Sequence, residues 1–383
     1  MYYEPYDTAC VPKTWNISDD LGQIEYIFSD KTGTLTQNIM EFQRCSINGV
    51  PYGEGVTEAQ KGAATREGKA DALDPEELKE KLSALTKQMI AILNRSFKNR
   101  FAQYNKLTLV SPKFAEDLTD RSSPQRPHMI AFFRALALCH SVLSDKPDPT
   151  TKPFHLEYKA ESPDEAALVS AAREVGFPFI ARSKDLFEIE VMGQSEKYTL
   201  LKMLEFNSTR KRMSVIMRCP DGRIILYCKG ADSVIYERLA KDHDEVLKEQ
   251  TKKDMETFAN NGLRTLCISY RYLTDEEYFK WVKTYDAATN AIENREEEID
   301  KANALVEHSL YILGATALED KLQEGVPEAI EMLHRAGIKL WILTGTSLNT
   351  INESLLMGIQ ATNSRLPSKS DTAATSSRPT WTS

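Results

Sequence analysis

The stretch QIEYIFSDKTGT, at residues 23–34, decides how this chain folds. Residues 23–29 form a short apolar and aromatic run, which is typical of a buried β-strand. The run ends directly at Asp30, and Lys31 and the turn of residues 32–34 follow it. In open α/β sheets, ligands bind at the carboxyl ends of the parallel strands. We therefore expect Asp30 to lie at a ligand-binding edge of a sheet.

A second strand of the same kind is predicted near the other end of the chain. Residues 338–343 are mostly apolar and lead into Thr344 and Gly345. Residues 324–333 have helical spacing, and Gly337 stands where a helix would stop. A strand that feeds a glycine loop at one end, and a helix followed by a strand at the other, predict two parts of one parallel sheet.

The middle of the chain has a different pattern. Short β-rich runs are separated by turn signals, at residues 186–192, 197–206, 211–219 and 223–229. Residues 220–222, Pro-Asp-Gly, are a strong hairpin signal, because proline presets φ and glycine supplies a positive φ. A further strand is predicted at residues 263–271, after a helix that Gly262 would end. The pattern predicts an antiparallel meander with flanking helices, which is an α+β domain in its own right.

Together these patterns predict an α/β fold in which a parallel-sheet domain is interrupted by an α+β domain with an antiparallel sheet. The first part of the parallel-sheet domain is placed at residues 1–44 and its second, truncated part at residues 311–356. The inserted domain is placed at residues 45–310. The remaining residues, 357–383, are rich in Ser and Thr and are expected to form a disordered tail.

Within the inserted domain, a helix is predicted over residues 74–93. Asp74 supplies an N-cap, Pro75 stands in the first turn, and leucines and methionine recur on one face. Residues 53–73 before it are rich in Gly, Ala and charge and are expected to form a surface loop. Residues 275–308 are helical in pattern and highly charged, which is typical of a solvated face.

The composition excludes several classes of protein. The 383 residues are 41% apolar and 27% charged, which rules out collagen-like, disulfide-scaffold and wholly disordered chains. With 56 acidic and 48 basic side chains, the net charge of −8 argues against nucleic acid as a partner. The six cysteines form no CxxC pair and are expected to be reduced core residues rather than zinc ligands. No apolar run approaches the roughly 18 to 20 residues of a membrane-spanning helix.

Asp30 is the residue best placed to carry chemistry. Carboxylate nucleophiles that form an aspartyl-phosphate are an established device in ATPases. The N–H groups of the following loop, Lys31 and a bound Mg²⁺ would neutralise the charge that develops on the transferring phosphoryl group. The alternative is that Asp30 only caps a turn after a strand, as most Asp-Xaa-Thr-Gly strings do.

The full string DKTGTLT at residues 30–36 resembles the phosphorylation motif of P-type ATPases. The resemblance extends to about residue 345, through ESPDEAAL (161–168), FNSTRKRMSV (206–215), KGAD (229–232) and GLRTL (262–266). The particular residues of these motifs resemble those of the phospholipid-flipping branch, type IV, rather than those of the ion pumps. The string WNISDDLGQ (15–23) and Gln37-Asn38 look most like fungal members. The parallel-sheet domain would then be an incomplete haloacid-dehalogenase-like phosphorylation domain.

For the phosphorylation site, the resemblance implies specific roles. Asp30 would accept the γ-phosphoryl group of ATP, and Lys31 and Thr32 would position phosphate. Asp30 and the main chain of Thr32 would hold Mg²⁺. In phosphatases of similar fold, an aspartate at the position of Thr32 acts as general acid and base. A threonine hydroxyl cannot activate water in this way, so an aspartyl-phosphate here should persist.

For the nucleotide, the resemblance implies that the inserted domain binds ATP. Phe206 would stack on adenine, because an aromatic face accepts a flat heterocycle, and Glu165 would face the adenine amino group. Lys229 would lie deep in the pocket, and Lys211 and Arg264 would add positive charge beside base and phosphates. The remaining residues implied to bind ATP are Ser208, Thr265, Thr344 and Gly345.

Each of these residues also has a plainer interpretation. Phe206 could be an ordinary core residue at a strand end, and Lys229 a solvated lysine at a strand end. Arg264 could be a surface charge. Ser162 and Glu165 have the spacing of a capping box, in which Glu165 would bond back to the start of its own helix.

The chain also departs from the family pattern. Thr346 follows Thr344 and Gly345 where the family has an aspartate, and no later lysine or Gly-Asp-Gly segment follows. Asp30 would be the only carboxylate left for Mg²⁺, although Mg²⁺ needs only one or two. The departure suggests a truncated or misread gene, and neither an actuator domain nor a membrane helix is present in the sequence.

The resemblance implies a membrane-integral parent that moves phospholipid with ATP, these domains being on its cytosolic side. Phospholipid and an accessory membrane subunit would be partners only of that full-length parent. The chain alone is expected to bind ATP weakly and to autophosphorylate slowly. Two alternatives stay open: a non-catalytic nucleotide-binding or interaction fragment, and a soluble aspartate-nucleophile phosphatase, against which Thr32 argues.

Overall fold

The computed structural model describes residues 20–61, 75–145 and 154–343, together with residues 2–4, 7–9 and 11. The strands within these residues are β1 Tyr2–Tyr3, β2 Thr8–Ala9, β3 Tyr26–Asp30, β4 Thr36–Ile47, β5 Val50–Tyr52, β6 Leu143–Asp145, β7 Glu157–Lys159, β8 Phe179–Ser183, β9 Leu186–Val191, β10 Gln194–Asn207, β11 Arg212–Arg218, β12 Ile224–Gly230, β13 Arg264–Leu273, β14 Tyr311–Leu322 and β15 Lys339–Leu343.

The helices surround these strands and are numbered in the same way. They are α1 Pro75–Ser96, α2 Pro112–Thr119, α3 Arg126–Leu138, α4 Pro163–Glu174, α5 Asp232–Tyr236, α6 Glu245–Asn260, α7 Asp275–Thr289, α8 Arg295–Ala304 and α9 Val326–Arg335. A 3-10 turn lies at Tyr104–Lys106.

One nine-stranded antiparallel sheet dominates the described residues, in the order β5-β4-β14-β13-β12-β11-β10-β9-β8. From β8 to β13 the order in space follows the order in sequence, which confirms the predicted meander. The turn between β11 and β12 forms as expected: Gly222 has a φ of +87°, and the Cys219 N–H donates to the Arg223 carbonyl over 2.8 Å.

The sheet separates two hydrophobic cores because strand side chains alternate between its faces. Val215 and Tyr227 pack in one core, together with side chains of α1, α2, α3 and α4. Ile216 and Leu226 pack in the other, where the helices α5, α6 and α7 cover the sheet. Four of the cysteines predicted to be core residues are buried free thiols inside these layers, namely Cys45, Cys139, Cys228 and Cys267. Cys219 is only half-buried, and Cys10 lies outside the described residues.

Strands β4 and β14 link the two end segments of the chain to the nine-stranded sheet. They pair antiparallel from Ile47 opposite Gly314 to Thr36 opposite Leu322. The predicted domain boundary at residues 44 and 45 lies inside β4, and the boundary at residues 310 and 311 coincides with the first residue of β14. The antiparallel sheet therefore includes strands that the sequence assigned to the parallel-sheet domain.

The predicted parallel pairing of the two end segments is confirmed. Strands β3 and β15 pair in parallel register, with Asp30 opposite Leu343 at their carboxyl ends. Helix α9 precedes β15 and ends at Arg335, and Gly337 shortly after it has the left-handed φ of +76° that suits a helix stop.

The expected burial of the first strand is wrong. Phe28 is 65% exposed and Trp341 is 53% exposed, and their rings stack on each other with centroids 6.5 Å apart. The reason is that β15 is the only strand beside β3 among the residues that the structure describes. A two-stranded sheet cannot bury both of its faces.

Several sequence predictions concern residues outside the described ranges. These are Thr344, Gly345 and Thr346, the tail of residues 357–383, Asp74, and residues 62–73 of the expected loop. Residues 58–61 of that same loop are helical instead. The predicted helix after the loop is confirmed as α1, and the charged stretch forms two helices, α7 and α8. No helix within the described ranges has the length and apolar character needed to span a bilayer.

Candidate active site

Asp30 is the last residue of β3 and is exposed at the carboxyl edge of the parallel pair. Its Oδ1 accepts a hydrogen bond of 2.7 Å from the Lys31 N–H, which fixes the direction of the carboxylate. Within the described residues Oδ2 receives no hydrogen bond, and the Asp30 side chain lies at an exposed position. The geometry is that of a carboxylate presented to a ligand.

The loop after Asp30 folds back on itself immediately. The N–H groups of Leu35 and Thr36 both donate to the Lys31 carbonyl, over 3.0 and 3.2 Å. Gly33 takes a φ of +78°, which an ordinary side chain would disfavour, and its N–H donates to Thr36 Oγ1 over 3.4 Å. The turn leaves Thr32 exposed beside Asp30.

Asp320 joins this loop, and sequence reasoning missed it. The Lys31 ammonium lies 3.4 Å from Asp320 Oδ2, and the other oxygen, Oδ1, is buried without a hydrogen-bond partner in the described part of the chain. The signal was an acidic pair, Glu319 and Asp320, at the end of the otherwise buried and apolar β14. A buried acceptor without a partner is unusual and marks a place where a ligand or solvent would be bound.

Glu165 and Lys229 form the centre of the second half of the site. The Lys229 ammonium donates to Glu165 Oε1 over 2.6 Å, and both side chains are largely buried. Ser141 donates to Glu165 Oε2 twice, from its N–H over 3.1 Å and from its hydroxyl over 2.6 Å. Lys229 is therefore not the solvated strand-end lysine of the plainer interpretation.

The charge state of Glu165 follows from these contacts. Burial alone raises the pKa of its carboxyl, but the Lys229 ammonium and the hydrogen bonds from Lys229 and Ser141 outweigh burial and hold the pKa below its ordinary value. The capping-box interpretation is wrong, because the Ser162 side chain makes no capping hydrogen bond. The Glu165 carboxylate oxygens accept hydrogen bonds from Ser141 and Lys229 instead.

The end of the turn that follows Phe206 contacts the chain just after Lys229. The Lys211 carbonyl accepts a hydrogen bond of 3.1 Å from the Ala231 N–H. The Lys211 N–H donates to the Asn207 carbonyl over 2.8 Å. Gly230 permits this approach: a Cβ there would lie 2.7 Å from the Lys211 carbonyl oxygen. The close packing of the two backbones requires glycine at this position.

Phe206 is 62% exposed at the end of β10, so it is not a core residue. Its ring contacts no other aromatic ring within the described residues and is free to stack on a flat ligand. Ser208 is exposed in the turn that follows, and Lys211 takes a left-handed φ of +51° there. This turn presents an aromatic face, a hydroxyl and a cation on one short segment.

Arg264 opens β13 and is half-exposed. Its guanidinium lies 3.2 Å from Asp164 Oδ1, beside Glu165. Burial raises the pKa of Asp164, Arg264 opposes that effect, and the negative charge of Asp320 adds to it. Asp320 is also the ion-pair partner of Lys31.

The structure brings some of the predicted residues together. Glu165 and Lys229 are in direct contact, the Lys211 carbonyl accepts from Ala231 two residues after Lys229, and Arg264 pairs with Asp164, the neighbour of Glu165. Thr265, the second residue of β13, pairs with Ala317 of β14. The described residues contain no cluster of three or more His, Cys, Asp or Glu that could hold a metal by itself.

The fold and the site define an α/β protein with a large antiparallel domain inserted behind a carboxylate-bearing parallel strand. A family model described as P-type ATPase, cytoplasmic domain N, matches residues 128–325, which is more than half of the chain. The chain belongs to the P-type ATPase family and, within it, to the type IV branch that the sequence motifs resemble.

Curated relatives match over nearly the whole chain. The phospholipid-transporting ATPase dnf2 of Schizosaccharomyces pombe is 50% identical over 355 residues. DNF1 of Chaetomium thermophilum is 48% identical over 351 residues, and the phospholipid-transporting ATPase IC of Homo sapiens is 42% identical over 350 residues. Each match covers 91% of this chain but only 25%, 22% and 25% of the respective relative. The chain spans about a quarter of the length of the relatives it matches.

Proposed function

We propose that this chain is the ATP-binding and aspartyl-phosphorylation part of a phospholipid-translocating P-type ATPase. The observation that carries the proposal is a set of two charged groups: the buried Glu165–Lys229 pair, and the Lys31–Asp320 pair in the loop that follows Asp30. This set gives one end suited to a base and one end suited to a terminal phosphate.

At the base end, the exposed Phe206 ring would stack on adenine, and Glu165 would accept a hydrogen bond from the exocyclic amino group. Lys211 and Arg264 would face the phosphates, where a guanidinium can make two parallel hydrogen bonds. Arg264 is half-exposed and already paired with Asp164, so it needs only to exchange one anionic partner for another. Ser208 and Thr265 offer hydroxyl groups to the sugar and phosphates.

At the phosphate end, Asp30 Oδ2 would attack the γ-phosphorus of ATP. A new O–P bond forms on the carboxylate, the bond to the bridging oxygen breaks, and ADP leaves with that oxygen. Lys31 would neutralise charge on the transferring group, since it follows Asp30 directly and its ammonium is held by Asp320. Thr32 cannot activate water against the product, so the acyl phosphate would persist in this chain.

The residues present also suit Mg²⁺, which prefers oxygen ligands and often uses one carboxylate with phosphate and water. The Asp30 carboxylate is exposed at the end of β3, and the Thr32 main chain would supply a further oxygen from the turn that follows. Mg²⁺ held there would neutralise charge on the γ-phosphate during transfer.

The proposal extends to the organisation of the parent protein. The paired strands β4 and β14 would join a nucleotide-binding domain to a phosphorylation domain, with the boundary inside these strands. The parent would be an integral membrane protein with this part on the cytosolic side, moving phospholipid between leaflets, with an accessory membrane subunit as a possible partner.

Calorimetric titration of the full chain with ATP and Mg²⁺ tests the binding half of the proposal. We expect saturable binding that Lys211→Gln weakens at least about tenfold, because a charged contact to phosphate is lost. Lys197→Gln, at an exposed position on β10, is the matched control and should leave binding unchanged. Failure of the unaltered chain to bind ATP would contradict the proposal.

A further inference from the structure

Ser141 holds one side of the Glu165 carboxylate. Its N–H and its hydroxyl both donate to Oε2, over 3.1 and 2.6 Å, and Lys229 donates to Oε1 over 2.6 Å. A carboxylate has about four positions at which it can accept a hydrogen bond. Donors among the residues that the structure describes occupy three, which leaves one position on Oε1 for a donor from a ligand.

The turn that carries Ser141 is fixed from both sides. His140 is fully buried, and its Nε2 lies 2.9 Å from the Ala137 carbonyl, which can only accept. Nε2 therefore carries the proton, and Nδ1 accepts from the Val142 N–H over 3.1 Å. Burial, together with the Lys229 ammonium, lowers the pKa of His140 to about 4, so the ring stays neutral and keeps these two bonds.

The arrangement is not explained by helix capping. Glu165 stands in the first turn of α4, yet the Ser162 side chain makes no capping bond, and the carboxylate turns toward Ser141. Ser141 is itself exposed, so it borders open space and not a packed core. The carboxylate is buried, ionised and aimed by donors on two sides.

We propose that Ser141 is a positioning residue that makes this site select a purine base with an exocyclic amino group at position 6. The inference rests on the proposed function, in which Glu165 meets the base. Adenine presents a 6-amino donor, whereas hypoxanthine and guanine present a carbonyl oxygen there. That oxygen would face the negative charge of Glu165 without a proton between them. A site with a fixed acceptor therefore disfavours bases that carry a carbonyl at this position.

Calorimetric titration of the full chain with the Mg²⁺ complexes of ATP and ITP tests the inference. For Ser141→Ala, we expect ATP binding to weaken about tenfold, the size of a lost hydrogen bond to a charged group. ITP binding should change by less than about twofold, so the preference for ATP falls. Ser141→Thr keeps the hydroxyl, has room at the surface for its methyl group, and should retain the preference.

Ser195→Ala is the matched control, since the Ser195 hydroxyl also lies within 3.3 Å of a glutamate, Glu188, on an exposed strand. It should leave both affinities unchanged. Equal weakening of ATP and ITP by Ser141→Ala, or no change in either, would overturn the inference while leaving ATP binding intact. An unaltered chain that binds neither nucleotide would overturn the proposed function as well.

Discussion

The ammonium of Lys229 lies 2.6 Å from Glu165 Oε1, and 64 residues of chain separate the two. Lys229 is placed by β12 and Glu165 by the first turn of α4. Neither charge has enough water around it to be stable alone, so each depends on the other and on Ser141. The pair fixes an ionised carboxylate beside an open turn, which is the basis for binding a base there.

Replacing one member of this pair should lower the free energy of unfolding more than replacing both. Lys229→Met leaves a buried carboxylate unpaired, and we expect the free energy of unfolding to fall by about 3–5 kcal/mol. Adding Glu165→Gln should recover part of the loss. Urea unfolding at pH 7 measures all three variants. Strictly additive losses would show that the pair does not act as a unit.

The control for this cycle is an ion pair at the surface. Lys159 and Asp145 are 2.7 Å apart but mostly exposed, so solvent screens their attraction. Lys159→Met should leave the unfolding curve nearly unchanged. A loss as large as that of Lys229→Met would mean that burial does not set the strength of such pairs here.

The protein should lose stability on mild acidification because of His140. Burial and the Lys229 ammonium lower its pKa from 6.5 to about 4 in the folded protein. Between these values the unfolded chain binds the proton and the folded protein does not, so stability falls as the pH falls. From pH 7 to pH 5 we expect a loss of about 2 kcal/mol from this residue.

His140→Asn keeps an acceptor for the Val142 N–H but cannot bind a proton in this range. Its unfolding free energy should be lower at pH 7 and should change less between pH 7 and pH 5 than that of the unaltered chain. Chemical denaturation at the two pH values gives both numbers. An identical pH dependence in both proteins would contradict the account of His140.

Phe206 should matter for binding and little for stability. Because its ring is 62% exposed, Phe206→Ala removes almost no buried contact. Stacking of an aromatic side chain on a base contributes about 1–3 kcal/mol, so ATP affinity should fall about 5- to 150-fold. Phe279→Ala, at a similarly exposed phenylalanine on α7, should leave affinity unchanged. Equal effects of the two variants in a calorimetric titration would contradict stacking on Phe206.

Asp320 should affect phosphoryl transfer more than nucleotide binding. Asp320→Asn removes the anionic partner of Lys31, whose ammonium lies 3.4 Å from Asp320 Oδ2. We expect the rate of phosphorylation to fall at least about tenfold, since misplaced catalytic groups cost rate steeply. ATP affinity should change little. Quenched-flow measurements with labelled ATP separate the two.

Lys321→Met provides the comparison for Asp320. Lys321 pairs with Glu41 at 3.4 Å one residue further along β14, but that pair does not touch the Asp30 loop. This variant should phosphorylate at the rate of the unaltered chain. A slow Lys321→Met would assign the effect to β14 in general and not to the contact with Lys31.

Much of the architecture could be predicted because it depends on local signals. The meander followed from short β-rich runs separated by turn signals and from the Pro-Asp-Gly turn at residues 220–222, which the structure reproduces. The parallel pairing of β3 and β15 followed from a strand and a glycine loop at one end and a helix and a strand at the other. The motifs that identified the family are also contiguous in sequence.

The rest depended on tertiary contacts that no local pattern contains. Glu165 fits a capping box by spacing, but the structure turns it to Ser141 and Lys229, which are distant in sequence. Asp320 reaches Lys31 because β14 pairs with β4 from Gly314 to Leu322, which brings the end of β14 to the loop after Asp30. Phe28 was expected to be buried from its neighbours in sequence, but burial depends on strands beside it.

The most direct test of the account is whether Asp30 becomes phosphorylated. The full chain is incubated with γ-labelled ATP and Mg²⁺, quenched with acid, and treated with hydroxylamine, which cleaves acyl phosphates. The account predicts label that survives acid, is released by hydroxylamine, is absent in Asp30→Asn and remains in Asp221→Asn, an exposed aspartate in the turn after β11. Label that persists in Asp30→Asn, or no label on a chain that binds ATP, would contradict it.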